Sequence, residues 1–191
     1  GRPLIGLDGY LSHCLLGSLM YAITVQDRDT IKWVKTAFEP YLRMQDPDRT
    51  GVIRSPKSCI EDMAQMGTLL SQAGYGNYWE DVDRWVRNIF AEAQLTDVGW
   101  VQGYSARFGE VGGFPHRVSA NVAERAKGVW GGWVALNDWQ TEQRSIMACC
   151  VGNSAMQLFR VWRDMLTFEP KKNRLTVHLL LNRASPWGDV Y

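Results

Sequence analysis

The sequence predicts an all-α fold built from helical hairpins, with a short β segment at the C-terminal end. Three observations carry this reading. First, a motif recurs. "KWVKTAF" (32–38) matches "RWVRNIF" (84–90), setting Trp33 over Trp85, Val34 over Val86 and Phe38 over Phe90, and upstream "GSLM" (17–20) matches "GTLL" (67–70). Second, apolar residues return at helical spacing through "NSAMQLFRVWRDMLTF" (153–168), with Met156, Phe159 and Trp162 on one side. Third, Leu175, Val177 and Leu179 alternate with polar residues in "RLTVHLLLN" (174–182), the period of a strand.

Taken in order, "DGYLSHC" opens the first helix and carries His13 and Cys14, with Cys14 expected to be buried beside Leu15 and Leu16. "TVQDRDT" (24–30) is a turn, and Trp33, Ala37 and Phe38 follow at helical spacing. The Pro- and Ser-containing stretch "SPKSCIEDM" leads into the first helix of the second unit, and "QAGYGNYWED" (72–81) is its turn. Glu80 or Asp81 stands where a helix N-terminus favours an acid. Trp85, Ile89 and Phe90 continue the pattern, each unit thus reading as helix, turn, helix. Such repeats build either an open solenoid or a closed α/α toroid. Between 96 and 148 the period is lost: "TDVGWVQGY", "RFGEVGGFPHR" and "GVWGGWVALNDW" are rich in Gly and Trp and read as irregular loops on a rigid scaffold. "KK" at 171–172 reads as a turn.

Composition narrows the function classes. With 46% hydrophobic and 21% charged residues, the chain has the balance of a globular domain. The net charge is +1 with both signs interspersed and no basic patch, which argues against a nucleic-acid partner. No run of about 18 apolar residues would span a membrane, and the opening "GRPLIGLDGY" lacks the layout of a signal peptide. Four cysteines without regular spacing favour reduced thiols, and with them a cytoplasmic setting, over a disulfide scaffold. Nine Trp, seven Tyr and six Phe supply flat amphipathic faces suited to a ligand as well as to a core.

The candidate chemistry centres on Cys149 and Cys150. Adjacent cysteines close only a small, strained disulfide ring, which leaves buried hydrophobes, soft metal ligands or a reactive thiolate. Cys59 stands at a helix N-terminus, where unsatisfied N–H groups favour a thiolate, with Glu61 and Asp62 beside it. Three thiolates and a carboxylate would make a four-coordinate Zn2+ site. Of the histidines, His178 reads as structural, while His13 and His116 are open between ligand contact and ordinary capping or loop roles. No Gly-x-Ser-x-Gly motif and no phosphate-cradling Gly loop occurs. Glu39, Glu61 and Asp138 are candidate carboxylates for glycoside hydrolysis, and Glu80, Asp81 and Asp83 read as a solvated helix start. Trp130, Trp133, Asp138 and Trp139 are expected to border a concave sugar-binding surface near Cys149.

Four stretches together carry a resemblance: "SQAGYGNYWEDVDRWVRNIFAEAQLT" (71–96), "GVWGGWVALNDW" (128–139), "MACCVGNSAMQLFRVW" (147–162) and "VHLLLNRASPWGDV" (177–190). They look like the catalytic domain of the β-L-arabinofuranosidase-like glycoside hydrolases, family 127 and its relatives. The resemblance implies part of an (α/α)6 toroid, here its second half over residues 1–172, followed by the start of a β-domain over 173–191. It implies a retaining glycosidase acting on a carbohydrate substrate, with Cys149 as nucleophile and a zinc site of Cys59, Cys149, Cys150 and a carboxylate. The family motif has Glu two residues before its first cysteine. Lys57 stands there in this chain, so Glu61 is the carboxylate on offer. Glu39 has roughly suitable spacing for the acid/base, and His13 for a substrate contact. The alternative from another class is a non-catalytic helical-repeat module that binds carbohydrate or protein through an aromatic-lined face.

Overall fold

A computed structural model of the chain describes residues 9–42, 45–46, 52–53, 57–108, 121–131, 148–185 and 188–190. Among these the fold is mostly helical, with short antiparallel β-hairpins. Helices α1 (Gly9–Val25) and α2 (Arg28–Leu42) form one hairpin. Helices α3 (Lys57–Gln72) and α4 (Trp79–Trp85) form the next, and α4 runs on into a π-helical turn, Val86–Ala91. Strands β1 (Gln45–Asp46) and β2 (Val52–Ile53) pair between the hairpins. No helix among the described residues is long and apolar enough to cross a membrane.

The first turn is tighter than the sequence suggests. Gln26 takes a left-handed conformation (φ 60°), and the Asp27 carboxylate then caps α2, accepting from the Asp29 and Thr30 N–H groups at 3.1 Å and from Thr30 Oγ1 at 2.6 Å. These bonds hold the Asp27 carboxyl below its ordinary value. Helix α2 buries Ile31, Val34, Phe38 and Tyr41, a single stripe three to four residues apart.

Helix α3 is the centre of the body, packed by α1, α2, α4 and α7. Residues Ile60 to Thr68 are therefore buried on every side of the helix. Phe38 meets Tyr78 edge-on at 5.2 Å and Trp85 at 6.3 Å, tying the two hairpins into one core.

The hairpin repeat holds at the level of elements and fails at the level of single residues. Val34 and Val86 are both buried, as are Phe38 and Phe90, but Trp33 is 57% exposed while Trp85 is 0% exposed. The equivalence of Trp33 and Trp85 is thus corrected. The π-helical turn after α4 widens its buried face to include Trp85, Val86, Ile89 and Phe90, whereas regular α2 has room for one stripe and leaves Trp33 in water. Cys14 is also corrected: it is exposed, because α1 packs through Leu15, Leu16, Leu19 and Ala22.

The stretch after residue 96 is more regular than its composition suggests. It contains α5 (Gly99–Phe108) and α6 (Val122–Ala126), joined by a small core of Leu95, Val101, Ala123 and Ala126. Asp97 Oδ1 accepts from the Gly99 N–H at 2.9 Å and starts α5. Helix α7 (Ala148–Asp164) begins ahead of the expected position and ends before Phe168. Beyond it, β3 (Leu166–Glu169) and β4 (Arg174–Val177) pair antiparallel around the turn Pro170–Lys172, with Asn173 left-handed at φ 46°. β3 begins at Leu166, whose ladder partner is Val177, so the expected strand 174–182 stops there, and β5 (Arg183–Ser185) and β6 (Gly188–Val190) form a further hairpin.

Candidate functional site

Helix α7 inverts the usual amphipathic arrangement. Its buried stripe is Cys150, Ser154, Gln157, Val161 and Asp164, and its exposed residues include Met156, Leu158, Phe159 and Trp162. The stripe facing inward is mostly polar, and it meets α3, itself lined by buried Glu61, Asp62, Gln65 and Thr68. A buried polar seam in a domain of this size persists only where its groups find partners. Here Ser154 and Asp62 do so across helices.

Ser154 is the link. Its hydroxyl lies against the Glu61 carboxylate of α3 and 2.6 Å from the Cys150 carbonyl oxygen, so its single proton serves one acceptor at a time. Cys150 belongs to the first turn of α7 and Glu61 to the second turn of α3. The first turn of α7 thus meets the second turn of α3. Gln157 lies one turn further along α7, buried, and its Oε1 has no hydrogen-bond partner among the described residues.

The next residue of α3 faces the other way. A step of about 100° along the helix carries Asp62 to α1, where its Oδ2 accepts from Ser12 Oγ at 2.6 Å and contacts His13 Nδ1. Burial raises the Asp62 carboxyl above its ordinary value, opposed by the Ser12 and His13 hydrogen bonds and by the charges of His13 and Arg160. Arg160 comes from α7 and feels Asp62, Asp164 and Glu61 together, while its own burial pulls its guanidinium downward. Three helices, α1, α3 and α7, therefore share one polar junction.

The junction collects Glu61, Cys150 and His13 from the residues singled out by sequence. Cys59 lies in the first turn of α3 and Cys149 in the first turn of α7, ahead of Glu61 and Cys150 respectively. Their side chains lie outside the described residues, as do Trp133, Asp138, Trp139 and His116. The cysteine pair is inside α7 and not in a loop before it. Among the described residues no group of three or more His, Cys, Asp and Glu side chains gathers as a metal site.

Two candidates have other partners. Glu39 pairs with Lys35 at 2.9 Å and accepts from the Tyr78 hydroxyl at 2.9 Å, and burial together with Glu39 pushes the Tyr78 phenol upward. Trp130 does not border an open surface. It is buried, stacks on Phe90 at 5.2 Å, and donates its indole N–H to the Phe90 carbonyl at 3.1 Å. Gly131 N also bonds to Ala93 O at 3.0 Å, so this segment is clamped to the π-helical turn and its indole fills the core.

The sequence did not single out Ser12, Ser154, Gln157 or Arg160, and it named Asp62 only as a neighbour of Cys59. For Ser154 and Gln157 the signal was spacing: 150, 154, 157, 161 and 164 form a helical stripe, but a polar one, opposite a more obvious apolar one. No family model, no curated protein and no solved structure matches the chain.

Proposed function

We propose that the chain is the helical part of a retaining glycoside hydrolase of the β-L-arabinofuranosidase type, its hairpins belonging to an (α/α)6 toroid and its chemistry lying at the α1–α3–α7 junction. The observation that carries the reading is Ser154, which joins Glu61 of α3 to the first turn of α7 at Cys150. The stretches "SCIED" and "ACC", 85 or more residues apart in sequence, are thereby neighbours.

The donor chemistry suits a thiophilic divalent cation. Glu61 offers a carboxylate and Cys150 a buried thiol, and Gln157 Oε1 is a buried oxygen without a partner among the described residues. Cys59 and Cys149 are the further donors by their place in the helices. When bound, zinc would keep the cysteine sulfurs as thiolates at neutral pH. In this reading Cys149 attacks the anomeric carbon, and a carboxylic acid protonates the departing oxygen. The same carboxylate then takes a proton from the water that releases the sugar with retained configuration.

Hydrolysis of p-nitrophenyl β-L-arabinofuranoside by the purified chain, with zinc measured in the same sample, tests the proposal. Turnover that Cys149→Ser abolishes is expected. A zinc-free protein without turnover would overturn it.

A second reading, a non-catalytic helical module, is favoured by one observation. Phe159 and Trp162 stand exposed on α7 with rings 6.2 Å apart, and the Arg163 guanidinium lies 5.8 Å over Phe159. Such a face suits a sugar or protein surface. Binding of an arabinan oligosaccharide that is lost in Trp162→Ala, without turnover, would favour it.

A further inference from the structure

The His13–Asp62 pair takes no part in the bond-breaking steps of the proposed reaction, and the resemblance offers His13 as a substrate contact without saying what orients it. Asp62 is a buried carboxylate whose Oδ2 is fixed by the hydroxyl of Ser12, itself wholly buried, at 2.6 Å. Nδ1 of His13 contacts that same oxygen. The His13 side chain is 45% exposed while that of Asp62 is 5% exposed, so the pair runs from the interior to the surface.

Where the Asp62 carboxyl is ionised, the imidazole nitrogen against it brings the proton, because two lone pairs facing each other repel. In the neutral ring, a proton on Nδ1 leaves Nε2 as a bare acceptor. An acceptor at a partly exposed edge selects among ligands. It welcomes a hydroxyl, which donates, and gives nothing to a phosphate or carboxylate group, which would need a donor.

We infer that Asp62 is a positioning residue that holds His13 as the Nδ1–H tautomer, so that His13 Nε2 accepts a hydrogen bond from a hydroxyl of a neutral polyhydroxylated ligand. The ligand class deepens the glycosidase reading and rests on it, whereas the tautomer does not depend on it. Ser12 serves the same end by anchoring Oδ2 toward α1.

Nitrogen-15 spectra of the histidine rings in the intact chain at pH 8, above the ordinary imidazole range of about 6.5, test the inference. The His13 ring is expected to carry its proton on Nδ1, and its Nε2 resonance to move on titration with L-arabinose but not with inorganic phosphate. In Asp62→Ala the proton is expected to shift to Nε2 and the L-arabinose response to vanish. If that variant does not fold, the wild-type spectra decide alone. A wild-type ring protonated on Nε2, or on both nitrogens at pH 8, overturns the positioning role. An Nδ1–H ring indifferent to L-arabinose overturns the ligand class. Failure of the glycosidase reading would show separately, as absent hydrolysis of the arabinofuranoside.

Discussion

His178 stacks on Trp79, with ring centroids 3.9 Å apart and 15° between planes. The pair joins the segment after β4 to the start of α4. His178 Nε2 also bonds to Thr167 Oγ1 at 2.8 Å, and Arg87, held by Asp83, donates to the Leu180 carbonyl at 2.6 Å. The C-terminal hairpin is thus fastened to the helical body through a titratable ring.

Acid should weaken that attachment. Burial holds the His178 imidazole below its ordinary value of 6.5, with Asp164 opposing. Because the folded-state value is depressed, the contribution to stability is complete above 6.5 and falls as pH drops through the folded-state value. Below 6.5 the unfolded chain takes up the proton first. Chemical denaturation followed by Trp fluorescence should show stability falling over this window, and His178→Gln should flatten the fall. An unchanged profile in that variant would assign the acid sensitivity to other groups.

Trp85 and Trp33 should respond very differently to truncation. Trp85 is fully buried against Phe38, whereas Trp33 faces water. Trp85→Ala should cost about 3–5 kcal/mol, and Trp33→Ala within about 0.5 kcal/mol. Equal losses in urea denaturation would restore the residue-by-residue repeat.

The sequence revealed what was apolar and periodic. The second hairpin and the strand at β4 follow from where Trp85, Ile89, Phe90 and Leu175 fall, whereas α2, read from Trp33, Ala37 and Phe38, buries Ile31, Val34, Phe38 and Tyr41 instead. The helical hairpins were legible for that reason. What stayed hidden depends on neighbours: α3 is surrounded, so its polar residues are interior, and α7 turns Ser154 and Gln157 inward while Phe159 and Trp162 stay exposed. Hydrophobic patterning assigns such a helix the wrong face. Of the site, Cys150, Glu61 and His13 were legible as chemistry-bearing types, but Ser12, Asp62 and Ser154 acquire meaning only from contacts 50 or more residues apart.

Gly67 should not tolerate a methyl group. A Cβ built there would stand 2.9 Å from Val82 Cγ2 and 3.4 Å from Tyr78 Cβ. Alanine gains about 1 kcal/mol in helix propensity, but overpacking costs about 1–3 kcal/mol. Val82 is buried and β-branched, so its χ1 has little freedom to yield. Gly67→Ala should therefore lose up to about 2 kcal/mol by thermal denaturation. A rise in melting temperature would show that α3 and α4 can separate.

The final expectation separates a metal site from a packed seam at Glu61 and Cys150. If both residues only pack, Cys150→Ala should cost about 1–2 kcal/mol for a small buried side chain, and a chelator should leave wild-type stability unchanged. If they hold zinc, the cation binds the folded chain alone and adds about 2.7 kcal/mol when its concentration is a hundred times the dissociation constant. A chelator should then lower the wild-type melting temperature, and zinc should restore it. Glu61→Gln nearly preserves the shape of the side chain and keeps an oxygen for Ser154, but it removes the carboxylate charge that a dication needs. That variant should fold, bind less zinc and lose the chelator response. Ser154→Ala, which removes the link without removing a donor, should weaken zinc binding about 10–100-fold, the usual effect of losing an orienting partner. Wild-type and Glu61→Gln proteins with identical melting curves, with and without chelator, would leave the seam a structural one.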